Sequence, residues 1–204
     1  MILTKTHIRI MEVLRRNILE EFTLSYLTKS IRGLSRAWLF RFLEVLNEKK
    51  IILKKTIGGV NFYKLNLDEI DTINYLSYVD VVRYNNLKID KAIINKLNFC
   101  QNYCLILFGS FASGKQRADS DIDICFLIGT DSDKKRLLPL VENAKLKSLT
   151  DLHIHYISLA EFEEMLIAKE ENLGKQIFRN SVVAFNHMTY FNVLKEAVYH
   201  GFKG

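Results

Sequence analysis

Leu105-Ile106-Leu107-Phe108-Gly109-Ser110-Phe111-Ala112-Ser113-Gly114, then Lys115 to Ser120, then Asp121-Ile122-Asp123-Ile124-Cys125-Phe126-Leu127-Ile128, is the stretch that decides the fold of this 204-residue chain. An apolar strand runs into a tight Gly-Ser turn, and a second apolar strand opens with two carboxylates spaced two apart. Side chains alternate along a strand, so Asp121 and Asp123 leave the same face. Two acids side by side in apolar surroundings repel each other unless a proton or a cation lies between them. Oxygen-only carboxylate pairs suit Mg²⁺, which takes one or two carboxylates together with substrate phosphates. The Gly-Ser turn offers backbone N–H groups and a hydroxyl to such phosphates. The stretch therefore reads as a metal–phosphate site.

Gly109-Ser110-Phe111-Ala112-x-Gly114 followed by Ser120-Asp121-Ile122-Asp123 resembles the signature of the polymerase-beta-type nucleotidyltransferases, in particular their small prokaryotic minimal members. The resemblance covers roughly residues 103–128, and the order of elements after it is compatible to about residue 200. It implies a nucleotidyltransferase-type mixed sheet flanked by helices. It also implies Mg²⁺ or Mn²⁺ held by Asp121 and Asp123, and a nucleoside triphosphate gripped at Gly109 and Ser110. An acceptor hydroxyl then attacks the α-phosphorus and pyrophosphate leaves. Lys115 or Arg117 would neutralise phosphate charge, unless both belong to a solvated loop.

The family places a third acid on a neighbouring strand. Here that strand is residues 151–156, where alternation puts Asp151, His153 and His155 on one face. The expected acid falls near His155, and Asp151 is the nearest carboxylate, at the strand's beginning. Both therefore stand as candidate catalytic residues. A neutral histidine can act as a base, but it is a poorer Mg²⁺ ligand than a carboxylate.

The first third differs in charge. Residues 1–66 hold 13 Lys/Arg against 5 Asp/Glu, whereas residues 67–204 hold 16 against 18, so the whole net charge of +6 originates in the first third. Helical stripes are expected at 4–21, 22–29 and 35–49, with Thr4 or Thr6 and Ser35 as caps. Residues 51–56 and 60–65 flank Gly58-Gly59, a hairpin signal. Three helices and a hairpin resemble a winged helix-turn-helix domain, which implies a third helix in the major groove of duplex DNA and a wing on the backbone. Arg32, Arg36, Arg41, Lys54 and Lys55 are the candidate DNA contacts. The same module could instead bind a protein or dimerise.

The expected organisation is an α/β (α+β), two-domain chain: a winged helix-turn-helix at 1–66, a helical connector at 67–98 and a nucleotidyltransferase domain at 99–204. Helices are expected at 68–84, 90–99 and 131–148, the last containing Pro139. A strand over 152–157, a helix over 159–171, a further helix after it, a strand at 182–185 and a helix over 190–199 complete the chain. Apolar content of 49% supplies a core, and no stretch approaches the roughly 20 apolar residues of a membrane span. Cys100, Cys104 and Cys125 lack metal-ligand spacing, consistent with a reduced, cytoplasmic protein. The expected activity is metal-dependent transfer of a nucleoside monophosphate from a triphosphate to a hydroxyl of a small molecule or of a protein, such as a toxin. The rival is an antitoxin-like DNA-binding regulator whose transferase domain senses nucleotide or is inactive.

Overall fold

The computed structural model describes residues 4–97, 103–117 and 119–204. Cys100 and the end of the helix expected at 90–99 lie outside them. The chain divides into two compact units, Met1–Val79 with Lys203–Gly204, and Asp80–Phe202.

In the first unit, α1 (Lys5–Arg16) starts at Thr4, whose hydroxyl and His7 complete a reciprocal capping box. The expected helix to residue 21 stops at Arg16, because Asn17 leaves helical geometry and its side-chain amide donates to the Val13 carbonyl at 3.0 Å. Strand β1 (Phe22–Thr23) leads into α2 (Leu24–Ser30), capped by Thr23, and α3 (Arg36–Glu48) is capped by Ser35. Then β2 (Ile52–Ile57) and β3 (Val60–Leu65) pair antiparallel across Gly58-Gly59, giving a three-stranded sheet of order β1-β3-β2. Leu14, Phe22, Leu39, Leu43, Leu46 and Tyr63 are among its fully buried residues. Trp38 and Val45 are only half-buried. Helix α4 (Ile70–Asn86) follows, and the division between units falls within it, inside the stretch expected as a connector.

In the second unit, α5 (Lys91–Lys96) precedes β4 (Tyr103–Phe108), a five-residue helix α6 (Gly109–Ser113) and β5 (Ile122–Ile128). The tight turn expected at Gly109-Ser110 is thus a single helical turn. A crossover helix α7 (Asp131–Lys147) joins β5 to β6 (Leu152–Ser158), which lies parallel to it. Pro139 sits inside α7 without ending it. Pro139 and Lys135, whose carbonyl loses a donor to the proline ring, are both exposed, so water can take the missing hydrogen bond. Next come α8 (Leu159–Ile167), α9 (Leu173–Arg179), β7 (Ser181–Phe185) and α10 (His187–Tyr199). The helix expected over 159–171 is shorter because Ala168 turns extended, and Asn172 caps the helix expected to follow it.

The four-stranded sheet has the order β6-β5-β4-β7, with β5 and β6 parallel and the other pairs antiparallel. One face carries Leu107, Ile124, Phe126 and Val182, packed with Ile94 of α5 and Leu137, Val141 and Ala144 of α7. The opposite face receives α8, α9 and α10. Helix α9 lies so close to α8 that a Cβ on Gly174 would come within 2.6 Å of the Met165 Cβ. Moving that atom means moving backbone. Gly174→Ala is therefore expected to cost on the order of 1–3 kcal/mol by overpacking, read as a lower urea midpoint. An unchanged midpoint would contradict the packing described.

Candidate functional site

At one end of the sheet the register aligns His153 of β6, Asp123 of β5, Phe108 of β4 and Ser181 of β7 in a row. Paired residues share a face, and this row lies on the α8–α9–α10 side, where the helices leave a cavity of about 520 Å³. The strand ends and the loop after β4 contribute Phe108, Gly109, Ser113, Lys115, Asp123, His153 and His155. The α9 segment contributes Leu173, Gln176, Arg179 and Asn180. The volume is within the range of small-molecule sites.

The tightest contact in this row is between Gly109 and Asp123. Gly109 has φ +70, and a Cβ built on it would lie 2.1 Å from Asp123 Oδ2 and 3.0 Å from its Cγ. Only glycine meets both demands, a left-handed backbone and the space occupied by a carboxylate. The other carboxylate oxygen, Oδ1, is 3.3 Å from His153 Nδ1. One acid is thus held between a glycine and an imidazole. Beside it, the ring centroids of His153 and His155 are 4.5 Å apart, and that of His155 lies 5.6 Å from Phe108. Burial, reinforced by the neighbouring His153, lowers the His155 pKa below its ordinary value against the opposing pull of Asp123. His155 is therefore favoured in its neutral form.

Asp121 and Asp151 are exposed and stand just before β5 and β6. The Ile122 N–H donates to the Asp151 carbonyl at 2.9 Å, which makes the entries of the two parallel strands neighbours. The strand offset brings His153, and not His155, opposite Asp123; His155 is opposite Cys125. Among the described residues, no group of three or more His, Cys, Asp or Glu side chains is arranged to hold a metal ion. Ser110 is half-buried in α6, and its carbonyl accepts from Lys115 N at 2.9 Å and Ser113 Oγ at 3.1 Å. Lys115 reaches the cavity wall, whereas Arg117 is not among the lining residues. Cys104 and Cys125 are buried free thiols, and burial raises both well above the ordinary thiol pKa. They are core residues.

Sequence reasoning gave no separate role to His153, Ser113, Gln176, Arg179 or Asn180. The alternation of β6 already put His153 on the face of His155, and only the strand register distinguishes them. Nothing in the sequence around α9 signals that this helix returns to the Gly-Ser turn.

The basic residues of the first unit fall into two groups. Arg32, Arg36 and Arg41 are exposed, and their guanidinium groups meet no partner among the described residues. Lys54 is paired with Glu44 at 2.8 Å, which raises its pKa by hydrogen bonding, and Lys55 with Glu21 at 2.5 Å. The two hairpin lysines are thus partly neutralised within their own unit.

Residues 91–182 match the family model described as Polymerase beta, Nucleotidyltransferase. The matched stretch runs from the start of α5 into β7 and includes Gly109, Asp123 and His153. It supports a nucleotidyltransferase domain in the second unit, and nucleotidyl transfer as its general activity. Neither the curated proteins nor the solved structures contain a match.

Gly109→Ala is expected to cost about 1–2 kcal/mol from the left-handed backbone alone, with a further penalty from displacing the Asp123 carboxylate. In an Asp123→Ala background that further penalty should vanish. A double-mutant cycle by chemical denaturation measures this coupling, and strictly additive effects would contradict the contact.

Proposed function

We propose that the second unit transfers a nucleoside monophosphate from a nucleoside triphosphate to an acceptor hydroxyl, and that the cavity beside Asp123 is where it does so. The observation that carries this reading is the packing of Gly109 on the Asp123 carboxylate, within the stretch matched to the nucleotidyltransferase family. That packing leaves room for a triphosphate to approach the acid along the backbone of Gly109 and Ser110. Backbone N–H groups and the Ser110 hydroxyl then meet phosphate oxygens, while Lys115 at the cavity wall offsets their charge.

The donors present fit Mg²⁺ or Mn²⁺ sharing its shell with phosphate and water, since Asp121 and Asp123 supply carboxylate oxygens and no all-protein cage is present among the described residues. Asp121 and Asp123 would hold it. When bound, such an ion neutralises phosphate charge and stabilises the attacking and leaving oxygens. For the remaining proton chemistry the chain offers histidine. His155, kept neutral by its burial and by His153, accepts the proton of an acceptor hydroxyl brought within reach. His153 orients the Asp123 carboxylate from the side. Asp151, exposed just before β6, is the further carboxylate candidate next to this strand, although it is not among the residues lining the cavity.

A second reading rests on a specific observation. The position beside Asp123 holds a histidine, and this favours a domain that binds nucleotide without turning it over. The first unit would then act as a regulator. The three helices and antiparallel hairpin of residues 5–65 are compatible with a winged helix-turn-helix, and Arg32, Arg36 and Arg41, without a side-chain partner among the described residues, provide positive charge for a phosphate backbone. A protein acceptor or partner, such as a toxin, could be recruited by the same unit.

Calorimetry should show Mg²⁺-dependent binding of a nucleoside triphosphate that is lost in Asp121→Asn/Asp123→Asn, and unchanged binding would sink the site assignment. Incubation with labelled triphosphate and host lysate decides turnover: a labelled acceptor supports transfer, and binding without labelling favours the regulator. Duplex DNA binding by the full chain should weaken steeply with salt. Each of Arg36→Ala and Arg41→Ala should lower the salt slope by about one ion, while Lys54→Ala and Lys55→Ala change it less. Salt-insensitive or absent binding would favour a protein partner.

A further inference from the structure

The wall of the cavity opposite the acid is built by α9, and nothing in the proposed phosphate chemistry uses it. Gln176 lies in α9 and Asn180 is its C-cap four residues on, and both line the same cavity. Both are exposed to the cavity, and neither side-chain amide meets a partner among the described residues. Arg179, between them, is committed to Glu171. Leu173 gives the same wall an apolar stretch.

The position of this wall is fixed by the sheet. Asn180 immediately precedes Ser181, which is paired with Phe108, which is paired with Asp123. Two strand spacings separate β5 from β7, so the α9 wall begins roughly 10 Å from the acid. That is the reach of a ribose and base beyond an α-phosphate held at Asp123. We propose, resting on the nucleotidyltransferase reading of this site, that α9 is the nucleobase-reading element and that Gln176 and Asn180 make it select adenine.

Amide side chains present a donor and an acceptor side by side, which matches the amino group and ring nitrogen of adenine. Guanine offers two adjacent acceptors on the corresponding edge and is matched by a free guanidinium. Here the one guanidinium on the wall is held by Glu171. A base in this position packs its ring on Leu173 and is read along its edge by the two amides. The triphosphate remains at Gly109, Ser110 and Lys115, so base recognition and phosphate recognition occupy separate walls of one cavity.

Calorimetric titration of the full chain with ATP, GTP and inorganic tripolyphosphate, each with Mg²⁺, tests this. The wild type should bind ATP about tenfold or more tighter than GTP, the discrimination one bidentate amide pair supplies. Gln176→Ala/Asn180→Ala should bring ATP down to the level of GTP and leave tripolyphosphate binding unchanged, which also shows that the variant is folded. If the variant keeps the wild-type ATP-to-GTP ratio, or if the wild type shows no preference, α9 does not read the base although the phosphate site stands. If the wild type binds neither ATP nor tripolyphosphate, the site reading fails and this inference fails with it.

Discussion

The contact between the Gly109 backbone and the Asp123 carboxylate is the constraint on which the rest of the second unit depends. It brings the last residue of β4, the first turn of α6 and the start of β5 into one small volume. Any side chain at position 109 would push the acid away or force the backbone out of its left-handed conformation. On its other side β5 pairs with β6, and that parallel register sets His153 opposite the acid. The glycine contact and the β5–β6 register together set the acid and its imidazole neighbour at the cavity.

Much of this fold was legible in the sequence because its signals are local. Alternation in β5 and β6, the Gly58-Gly59 hairpin and the caps at Thr4 and Ser35 all act over a few residues. The failures came where a neighbouring element or a single terminator decided the outcome. Asn17 ends α1 through its own side chain, and Ala168 ends α8 four residues before the expected boundary at 171. Pro139 stays within α7 because its missing hydrogen bond falls on the solvent side.

The site was legible in part, for the same reason. Gly109, Ser110, Asp121 and Asp123 lie within fifteen residues and announce themselves by spacing. His153 and His155 could not be ranked without the register of a parallel pair joined through a long crossover helix. Gln176, Arg179 and Asn180 were invisible, since their relation to Asp123 passes through three strands. For the first unit, charge counting found the basic excess but not the pairing of Lys54 with Glu44 and Lys55 with Glu21. Those contacts shift the weight of any polyanion contact towards Arg32, Arg36 and Arg41.

The central claim is that the nucleotide's phosphates and a divalent ion meet at the Gly109–Asp123 contact. A crystal structure of the full chain with Mn²⁺ and a non-hydrolysable triphosphate analogue tests this most directly, because anomalous scattering locates the ion independently of the nucleotide. The account predicts an anomalous peak bridging the Asp123 carboxylate and a phosphate oxygen, with the phosphates along Gly109 and Ser110. A nucleotide bound elsewhere, or an ion that does not touch Asp123, would contradict it.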